Sequence, residues 1–364
     1  MTTNVVTKHP GIYIEELASL SLAVSSSATA VPVFAVDDAN TAFTTPVRIT
    51  SWLEYSKLAE TARTAVLNAC MQAYFVNGGG YCYLCNTSRL AEAVPKLNDV
   101  TLLVAAGQDL ESQVPTLCAP GLSRFAILDG RDGDSPVDDP IDNGDGTTTA
   151  APPVPEITQF ANAAVYYPWL SADWAGVNIP PSAAMAGVYC RVDATRGVWK
   201  APANVVLQGG LRPTVAVTDD LQGQHTKVDT ALNMLRVFDG GGTTVWGART
   251  RDNSEEWRYI PVRRLFDAAE RDIKAAMRTA MYEPNSQPTW EKTSAAITNY
   301  LYKLWRRGAL AGETEAEAFF VQVGKDITMD QTQINQGEMI VKVGMAAVRP
   351  AEFIILQFTQ EMGQ

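Results

Sequence analysis

The chain has 364 residues, 46% of them hydrophobic, and carries a formal net charge of −11 at pH 7. This length accommodates two domains with a large core, and the apolar content excludes an intrinsically disordered chain. The acidic balance excludes non-specific nucleic-acid binding as a function, because the phosphate backbone would be repelled.

Three further features of the sequence limit what the chain can do. No apolar run approaches the roughly 20 residues that a membrane-spanning helix needs, so no direct membrane partner is expected. Five cysteines, an odd number, argue against a disulfide framework and fit synthesis in a reducing cytosol. Only two histidines, His9 and His225, are available for catalysis.

The first predicted element is a lone extended segment near the N-terminus. Residues 11–17 alternate in the manner of a strand, with Pro10 at the entry. The following segment, 18–29, is rich in serine and alanine and has neither a helical nor a strand period. A strand on such a tether either folds back as an edge strand of its own sheet or pairs with another subunit. The residues alone leave both possibilities open.

From residue 31 to about 194 the pattern alternates between strands and helices. Strands are predicted at 31–36, 81–85, 101–105, 124–128 and 164–169, and helices after Ser51 and at 63–75, 89–94, 110–117 and 182–193. Such alternation predicts an α/β layer with a largely parallel sheet. The stretch 129–155 interrupts it with seven aspartates and then Pro152, Pro153 and Pro155, which is typical of a surface insertion. A further helix is predicted within 219–238.

Residues 243–310 predict a strand, a polar turn and two amphipathic helices. The second helix carries an apolar stripe of Trp290, Ile297, Leu301 and Leu304 and ends at Gly308. The periodicity of the first helix places five charged residues on its solvent face: Arg264, Asp267, Arg271, Lys274 and Arg278. Its apolar face comprises Val262, Leu265, Phe266, Ala269, Ile273, Ala276 and Ala280.

The end of the second helix is basic. Lys303, Arg306 and Arg307 lie in its last turn, and the segment 245–310 holds twelve Lys/Arg against eight Asp/Glu in an acidic protein. Such a face suits an acidic protein partner, although a solvated helix face has the same composition.

The chain closes with two predicted strands, 338–348 and 352–358. In the first, Met339, Val341, Val343 and Met345 alternate with more polar or smaller residues. The second is almost wholly apolar, so it must be covered on both faces, either in its own core or inside a partner.

Several residue groups could in principle carry chemistry. Cys82 and Cys85 have the spacing of a metal or redox pair, but in a strand residues three apart point to opposite faces. The glycines at 78–80 and 240–242 follow helices and precede strands, the reverse of a phosphate-binding loop. No nucleophile turn lies near either histidine, and the aspartates of 129–145 lack the spacing of a calcium loop. We therefore expect no catalytic residue, no cofactor and no metal.

Short motifs spread along the chain resemble those of a known family. They are HPGIYIEE at 9–16, VWGART at 245–250, EWRYI at 256–260, VRRL at 262–265, EPN at 283–285, LWR at 304–306, GALAG at 308–312, AFF at 318–320 and RPAEF at 349–353. Together they resemble, in order and over most of the chain, the contractile tail sheath proteins of myophages and phage-tail-like particles.

The resemblance implies a structural protein rather than an enzyme. Many copies would form a helical sheath around a rigid inner tube, together with baseplate and terminator or cap proteins, and this sheath would contract once. Assembly would occur in the bacterial cytoplasm, and the product would be a phage tail or a released phage-tail-like particle.

Sheath proteins of this family exchange terminal arms, and the exchange can be carried onto this sequence. Strands 11–17 and 352–358 would be donated, and 338–347 would be among the receiving strands. The exchange residues are then Gly11, Ile12, Tyr13, Ile14, Glu15, Glu338, Ile340, Val341, Val343, Phe353, Ile354, Ile355, Leu356 and Phe358. Lys303, Arg306 and Arg307 become candidates for contact with the inner tube.

The expected fold class is α/β, or α+β overall, with four parts. They are an N-terminal arm (1–30), an α/β domain (31–240), a C-terminal helix-and-strand domain joined by a neighbour's N-terminal strand (241–350), and a C-terminal arm (351–364). Two other classes stay open: a baseplate or terminator component with a sheath-like C-terminal domain, and an α/β hydrolase-type enzyme.

Overall fold

A computed structural model describes residues 22–133, 157, 159–227, 230–238 and 240–353, and only the backbone of 141–142 and 148–149. Its strands are β1 (Pro32–Val36), β2 (Val47–Ile49), β3 (Cys82–Asn86), β4 (Leu102–Val104), β5 (Phe125–Asp129), β6 (Ile141–Asp142), β7 (Thr148–Thr149), β8 (Ala163–Tyr167), β9 (Leu170–Ser171), β10 (Val205–Val206), β11 (Arg212–Pro213), β12 (Leu232–Val237), β13 (Thr243–Trp246), β14 (Phe319–Gln322) and β15 (Lys342–Met345).

The helices are numbered in the same way. They are α1 (Trp52–Ser56), α2 (Ala65–Val76), α3 (Leu90–Ala93), α4 (Val114–Leu117), α5 (Pro181–Arg196), α6 (Asp219–Gln224), α7 (Ile260–Met277), α8 (Gln287–Arg306), α9 (Glu315–Ala318) and α10 (Gln331–Asn335). Within the described ranges, no helix combines the length and the apolar character that crossing a membrane requires.

A large mixed sheet organises the first two thirds of the chain. Nine strands form it, in the order β10-β13-β12-β8-β5-β4-β1-β3-β2. The strands from β12 to β3 are parallel, and antiparallel pairs with β13 and β2 extend the two ends. The predicted α/β layer is confirmed. Its central strands are short apolar runs because helices cover both faces of a parallel sheet.

Two separate apolar cores cover the faces of this sheet. The core on one face contains residues of α2 and α5, and the core on the other contains residues of α3 and α4. Cys82 belongs to the first core and Cys85 to the second. The prediction that their sulfurs point to opposite faces is confirmed, which excludes a site shared by these two thiols.

One helix begins where the sequence predicts its cap, and the next begins two residues later than predicted, after a threonine cap. The Ser51 side chain accepts a hydrogen bond from the amide of Glu54 and begins α1, and Thr64 caps α2 in the same way through Leu67. The glycine-rich stretch 78–80 lies between α2 and β3, as a helix end and turn. Gly78 has a φ of +101°, which glycine adopts without strain.

The sheet extends further along the chain than the sequence indicates. Residues 219–238 contain the predicted helix as α6, but their second half is the strand β12. β13, predicted to begin the C-terminal domain, pairs with β12 inside the large sheet. β12 has residues buried on both faces, such as Met234 and Leu235, and so lacks the alternation that identifies a half-exposed strand.

Helices α2 and α5 pack closely at a glycine, which gives a test of the fold. A Cβ added to Gly187 would lie 2.4 Å from the backbone oxygen of Tyr74 and 2.9 Å from the Cβ of Asn77. Because α2 would have to shift, we expect Gly187→Ala to lower the free energy of unfolding by about 1–3 kcal/mol, measured by urea denaturation.

Gly223→Ala in α6 is the matched control for this substitution. Its added Cβ meets no atom within 4 Å, so helix propensity alone predicts a gain of about 0.5–1 kcal/mol. An unchanged unfolding midpoint in Gly187→Ala would contradict the close packing of α2 on α5.

The C-terminal part is built on the two long helices that the periodicity predicts. Leu265 and Ala269 of α7 share a third apolar core with Ile297 and Leu301 of α8. α8 ends at Arg306, and Gly308 follows with a φ of +79°. The small sheet formed by β14 and β15 packs against the same core.

Candidate subunit-contact surfaces

The two-stranded sheet of β14 and β15 is the first candidate surface, because its outer edges are open. The strands are antiparallel, with Phe319 opposite Met345 and Gln322 opposite Lys342. In the part of the chain that the structure describes, neither strand has a second partner in the sheet. A sheet of two strands is only marginally stable by itself, and its open edges offer amide and carbonyl groups to an added strand.

The two faces of this small sheet differ. Val321, Val343 and Met345 pack against the core shared by α7 and α8. This confirms the predicted alternation for the part of 338–348 that forms a strand. On the other face the ring of Phe320, 52% exposed, lies over Gly344, 2.1 Å from where a Cβ of residue 344 would be. Only glycine therefore leaves room for Phe320 in this position.

The receiving strand is shorter than predicted. The sequence predicts a strand over 338–348, but β15 comprises only Lys342–Met345. The carbonyl of Glu338 accepts a hydrogen bond from Asn285 (2.8 Å), and that of Ile340 accepts one from the Thr328 hydroxyl (2.7 Å). Because side chains occupy these carbonyls, Glu338 and Ile340 precede the ladder, while Val341 and Val343 contribute to the core.

Most of the predicted donor residues lie outside the described residues. They are Gly11, Ile12, Tyr13, Ile14 and Glu15 at one end, and Ile354, Ile355, Leu356 and Phe358 at the other. Phe353 is described, and its ring is 57% exposed. The ammonium group of Lys227 lies 4.5 Å from the centre of this ring.

The basic end of α8 is the second candidate surface. Lys303, Arg306 and Arg307 are all exposed. Among the ion pairs of the described residues, none involves these three cations. The Arg307 guanidinium lies 4.8 Å from the ring of Trp199. The three charges are therefore available to an acidic partner.

The charged face of α7 differs from the prediction, because part of it is buried. Arg264 is 4% exposed and forms two hydrogen bonds with Asp193 of α5, at 2.7 and 3.0 Å. Asp267 is 5% exposed and bonds to Asn162 (2.8 Å) and Arg263 (2.9 Å). These charges attach α7 to the α/β layer, whereas Lys274 and Arg278 are exposed as predicted.

Asp129, at the end of β5, is a buried carboxyl group with a raised pKa, and its contacts are those of a residue that stabilises the fold. Asp129 accepts hydrogen bonds from the amide and hydroxyl of Ser182 at the start of α5, and from the amide of Gly107. Burial raises the pKa of Asp129 and these hydrogen bonds partly oppose the shift, so that the resulting pKa is about 6. Its hydrogen bonds hold the start of α5 against the end of β5, which is a positioning role within the fold.

The described residues show little that suits an enzyme. No group of three His, Cys, Asp or Glu within them lies close enough to hold a metal ion. A shallow cleft, partly open to solvent, lies beside Thr29, Thr101, Arg264 and Arg271, and its volume of about 10 Å³ has room for about one water molecule.

Known proteins share this architecture. A model of the phage tail sheath C-terminal domain family matches residues 252–361. A sheath tail protein from Desulfitobacterium hafniense, 8% identical, aligns over 93% of this chain and 100% of its own, with a TM-score of 0.61. At that identity the likeness shows the fold alone. The mixed α/β fold is therefore that of tail sheath proteins.

Two further structures are similar in sequence as well as in fold. The sheath of the extracellular contractile injection system PVC, in its contracted state, is 56% identical over 98% of this chain and 99% of its own, with a TM-score of 0.87. The contracted helical sheath of the anti-feeding prophage is 42% identical over 98% and 100%, with a TM-score of 0.79. A comparison with curated proteins found no match.

The chain belongs to the sheath protein family of contractile injection systems and is a structural sheath subunit. The family that the sequence motifs predicted is thereby confirmed. The sheath proteins it resembles are structural components of phage-tail-like particles.

Proposed function

We propose that many copies of this subunit form a helical sheath around a rigid inner tube, and that contraction of the sheath drives the tube through a target envelope. The observation that carries this function is the open β14–β15 sheet in a chain that is 56% identical to the sheath protein of a contracted particle. A sheet with free edges needs added strands, and a helical polymer of identical subunits supplies them.

Strands from neighbouring copies complete this sheet in the proposed polymer. Residues 11–17 and 352–358, which have strand patterns in the sequence, are the donated strands. Main-chain hydrogen bonds then connect the subunits into a mesh, while contacts between the α/β bodies re-form in a second arrangement. A mesh of this kind keeps neighbours joined when the bodies move.

Contraction without nucleotide hydrolysis needs a contracted lattice of lower free energy than the extended one. A difference of a few kcal/mol per subunit, roughly the size of ordinary conformational couplings, adds up along a long sheath. The energy is stored when the extended sheath is assembled and is released once.

We also propose that the basic end of α8 contacts the inner tube. Reversing the charges of Lys303, Arg306 and Arg307 to glutamate is expected to weaken tube binding by roughly 1–3 kcal/mol per subunit, because three exposed ion pairs would become repulsive. The measurement is the fraction of sheaths that contain a tube, counted in electron micrographs. Circular dichroism should show an unchanged fold.

A matched control reverses Arg278 and Lys292, two exposed cations that lie directly after α7 and in the first half of α8. This variant should assemble around tubes like the wild type. If the triple variant also gave tube-filled sheaths in the normal proportion, the tube contact would have to lie elsewhere on the subunit.

The proposed function assigns a role to each part of the chain. Residues 1–30 and 351–364 act as arms, 31–246 form the outer α/β body because β13 belongs to its sheet, and the part from α7 to residue 350 forms the inner mesh. The sheath would be built in the bacterial cytoplasm on a baseplate, closed by a terminator or cap protein, and released within the particle.

Electron microscopy of the purified chain, produced together with its tube protein, tests this function. We expect long tubes with a regular helical repeat. A baseplate or terminator component would instead give rings or discs at tube ends, and an enzyme would give no ordered assembly.

A further inference from the structure

Charged side chains of α7 fix the segment that precedes β1 to the body of the subunit. The amide of Ser27 donates to the carboxylate of Asp272 (3.0 Å), and the Ser27 hydroxyl bonds to the same oxygen. Arg271 donates to the Ser27 hydroxyl (3.0 Å) and to the carbonyl of Ala28 (2.7 Å). Val24 lies in the core shared by α7 and α8. We call residues 24–29 the N-root.

The C-terminal segment is fixed in a similar way. Arg249 forms a bidentate ion pair with Glu352, at 2.8 and 2.7 Å, and its side chain is 5% exposed. The Tyr259 hydroxyl donates to the same carboxylate (3.1 Å). We call Glu352 and Phe353 the C-root. Bidentate charged pairs of this kind fix direction as well as position.

The N-root is attached to α7, and the C-root is attached to Arg249 and to the residue that precedes α7. Tyr259 is the residue that precedes α7, and Arg271 and Asp272 lie in its fourth turn. At 1.5 Å per residue, the two attachment points are about 20 Å apart along the helix axis. Neither arm root is bonded to the β14–β15 sheet in the described residues.

One carboxylate also connects the N-root to α8. While one oxygen of Asp272 bonds to Ser27, the other accepts a hydrogen bond from the Tyr300 hydroxyl (2.8 Å). α8 in turn carries the core on which β14 and β15 pack. The site that would donate an arm and the site that would receive one are thus linked through a single buried side chain, 2% exposed.

We propose that the Arg249–Glu352 pair and the Ser27–Arg271–Asp272 cluster are anchors that set where both exchanged arms leave the subunit, with α7 and the segment that precedes it as their support. This inference rests on the proposed exchange of arms between neighbours. It identifies the side chains that fix the base of each arm to its own subunit before the arm reaches the neighbouring one.

The physical effect of an anchor is to shorten the free part of the arm. Without the Ser27–Arg271–Asp272 cluster, the chain would be free back to Thr29, whose hydroxyl donates to Asp193 and whose carbonyl accepts a hydrogen bond from Arg264. Without the C-root, it would be free back to Val348, whose amide bonds to Ala309. The effective concentration of a tethered strand at its target falls at least as the −3/2 power of tether length. An anchored arm also loses less entropy when it pairs.

The test is the dissociation rate of preformed sheaths in urea, with the full-length double variant Ser27→Ala, Glu352→Gln. Both substitutions preserve shape and remove only root contacts. We expect these sheaths to dissociate several-fold faster than wild type, because a longer free arm re-pairs with its neighbour at a lower effective concentration. The urea midpoint of the dilute monomer is measured alongside, to separate loss of anchoring from loss of fold stability.

Glu270→Gln is the matched control, because Glu270 pairs with Lys274 on the exposed side of the same helix and touches neither root. Its sheaths should dissociate at the wild-type rate. Double-variant sheaths that dissociate at the wild-type rate, or faster only in proportion to a lower monomer midpoint, would overturn the anchors. If a chain without residues 1–17 still polymerised, the exchange of arms itself would be wrong, which is a separate outcome.

Discussion

Deletion of residues 1–17 is expected to leave a folded subunit that no longer polymerises. The nine-stranded sheet begins at β1, and the described residues of its two cores all lie beyond the deletion. The deletion removes one donated strand and its main-chain hydrogen bonds. At about 1 kcal/mol for each of three or more such bonds, the affinity between subunits falls by roughly a hundredfold or more.

Analytical sedimentation measures this outcome. We expect a monomer with the wild-type circular dichroism spectrum, whereas the full chain should sediment as long assemblies. Deletion of residues 2–8, which precede the predicted strand, is the matched control and should polymerise normally. Full-length helical assemblies from the longer deletion would contradict a donated N-terminal strand.

Asp193→Ala is expected to cause the largest loss of fold stability. The carboxylate of Asp193 pairs with Arg264, whose side chain is 3% exposed, and it also accepts a hydrogen bond from the Thr29 hydroxyl. Removing it leaves a buried guanidinium without its counter-ion. We expect the free energy of unfolding to fall by about 3–5 kcal/mol, measured by urea denaturation of the dilute chain.

Two controls separate burial from charge in this experiment. Glu92→Ala removes one partner of an exposed pair with Lys96, whose side chains are 67% and 69% exposed, and should change stability by no more than about 0.5 kcal/mol. The double variant Arg264→Met, Asp193→Leu should be more stable than Asp193→Ala, because no uncompensated charge remains. A loss below about 1 kcal/mol in Asp193→Ala would contradict the buried pair.

Much of the fold follows from the residues themselves. β1, β3, β4 and β5 are short apolar runs between polar turns, because strands that helices cover on both faces contain few polar residues. The two long helices follow from a 3.6-residue period, and the opposed cysteines of β3 follow from the two-residue period of a strand. These features depend on near neighbours in the sequence.

Features that depend on distant partners could not be predicted in the same way. The helical period places Arg264 on a solvent face, but its partner Asp193 is 71 residues away and draws it into the interior. β15 is shorter than predicted because the Thr328 hydroxyl donates a hydrogen bond to the carbonyl of Ile340, which is then not available to the ladder. The sequence does not show whether a charged side chain or a strand carbonyl bonds to water or to a side chain that is distant along the chain.

For the candidate contact surfaces, too, the sequence predicts that a segment needs a partner but not which partner it has. An apolar segment such as 352–358 shows that a strand must be covered, but its pattern does not identify the sheet that covers it. The roots at Ser27 and Glu352 were missed altogether. The only signal for the second is that Arg249 and Glu352 both lie in motifs, VWGART and RPAEF, that carry the family resemblance.

Photo-cross-linking in mixed-isotope sheaths measures most directly whether neighbours share their strands. A benzophenone amino acid replaces Tyr13, and equal amounts of ¹⁴N- and ¹⁵N-labelled chains are assembled, irradiated and digested for mass spectrometry. The account predicts cross-links from position 13 to residues 319–322 or 342–345, with one peptide of each isotope in about half of them. Cross-links confined to peptides of the same isotope would show that the arm folds back onto its own chain, and would contradict the account.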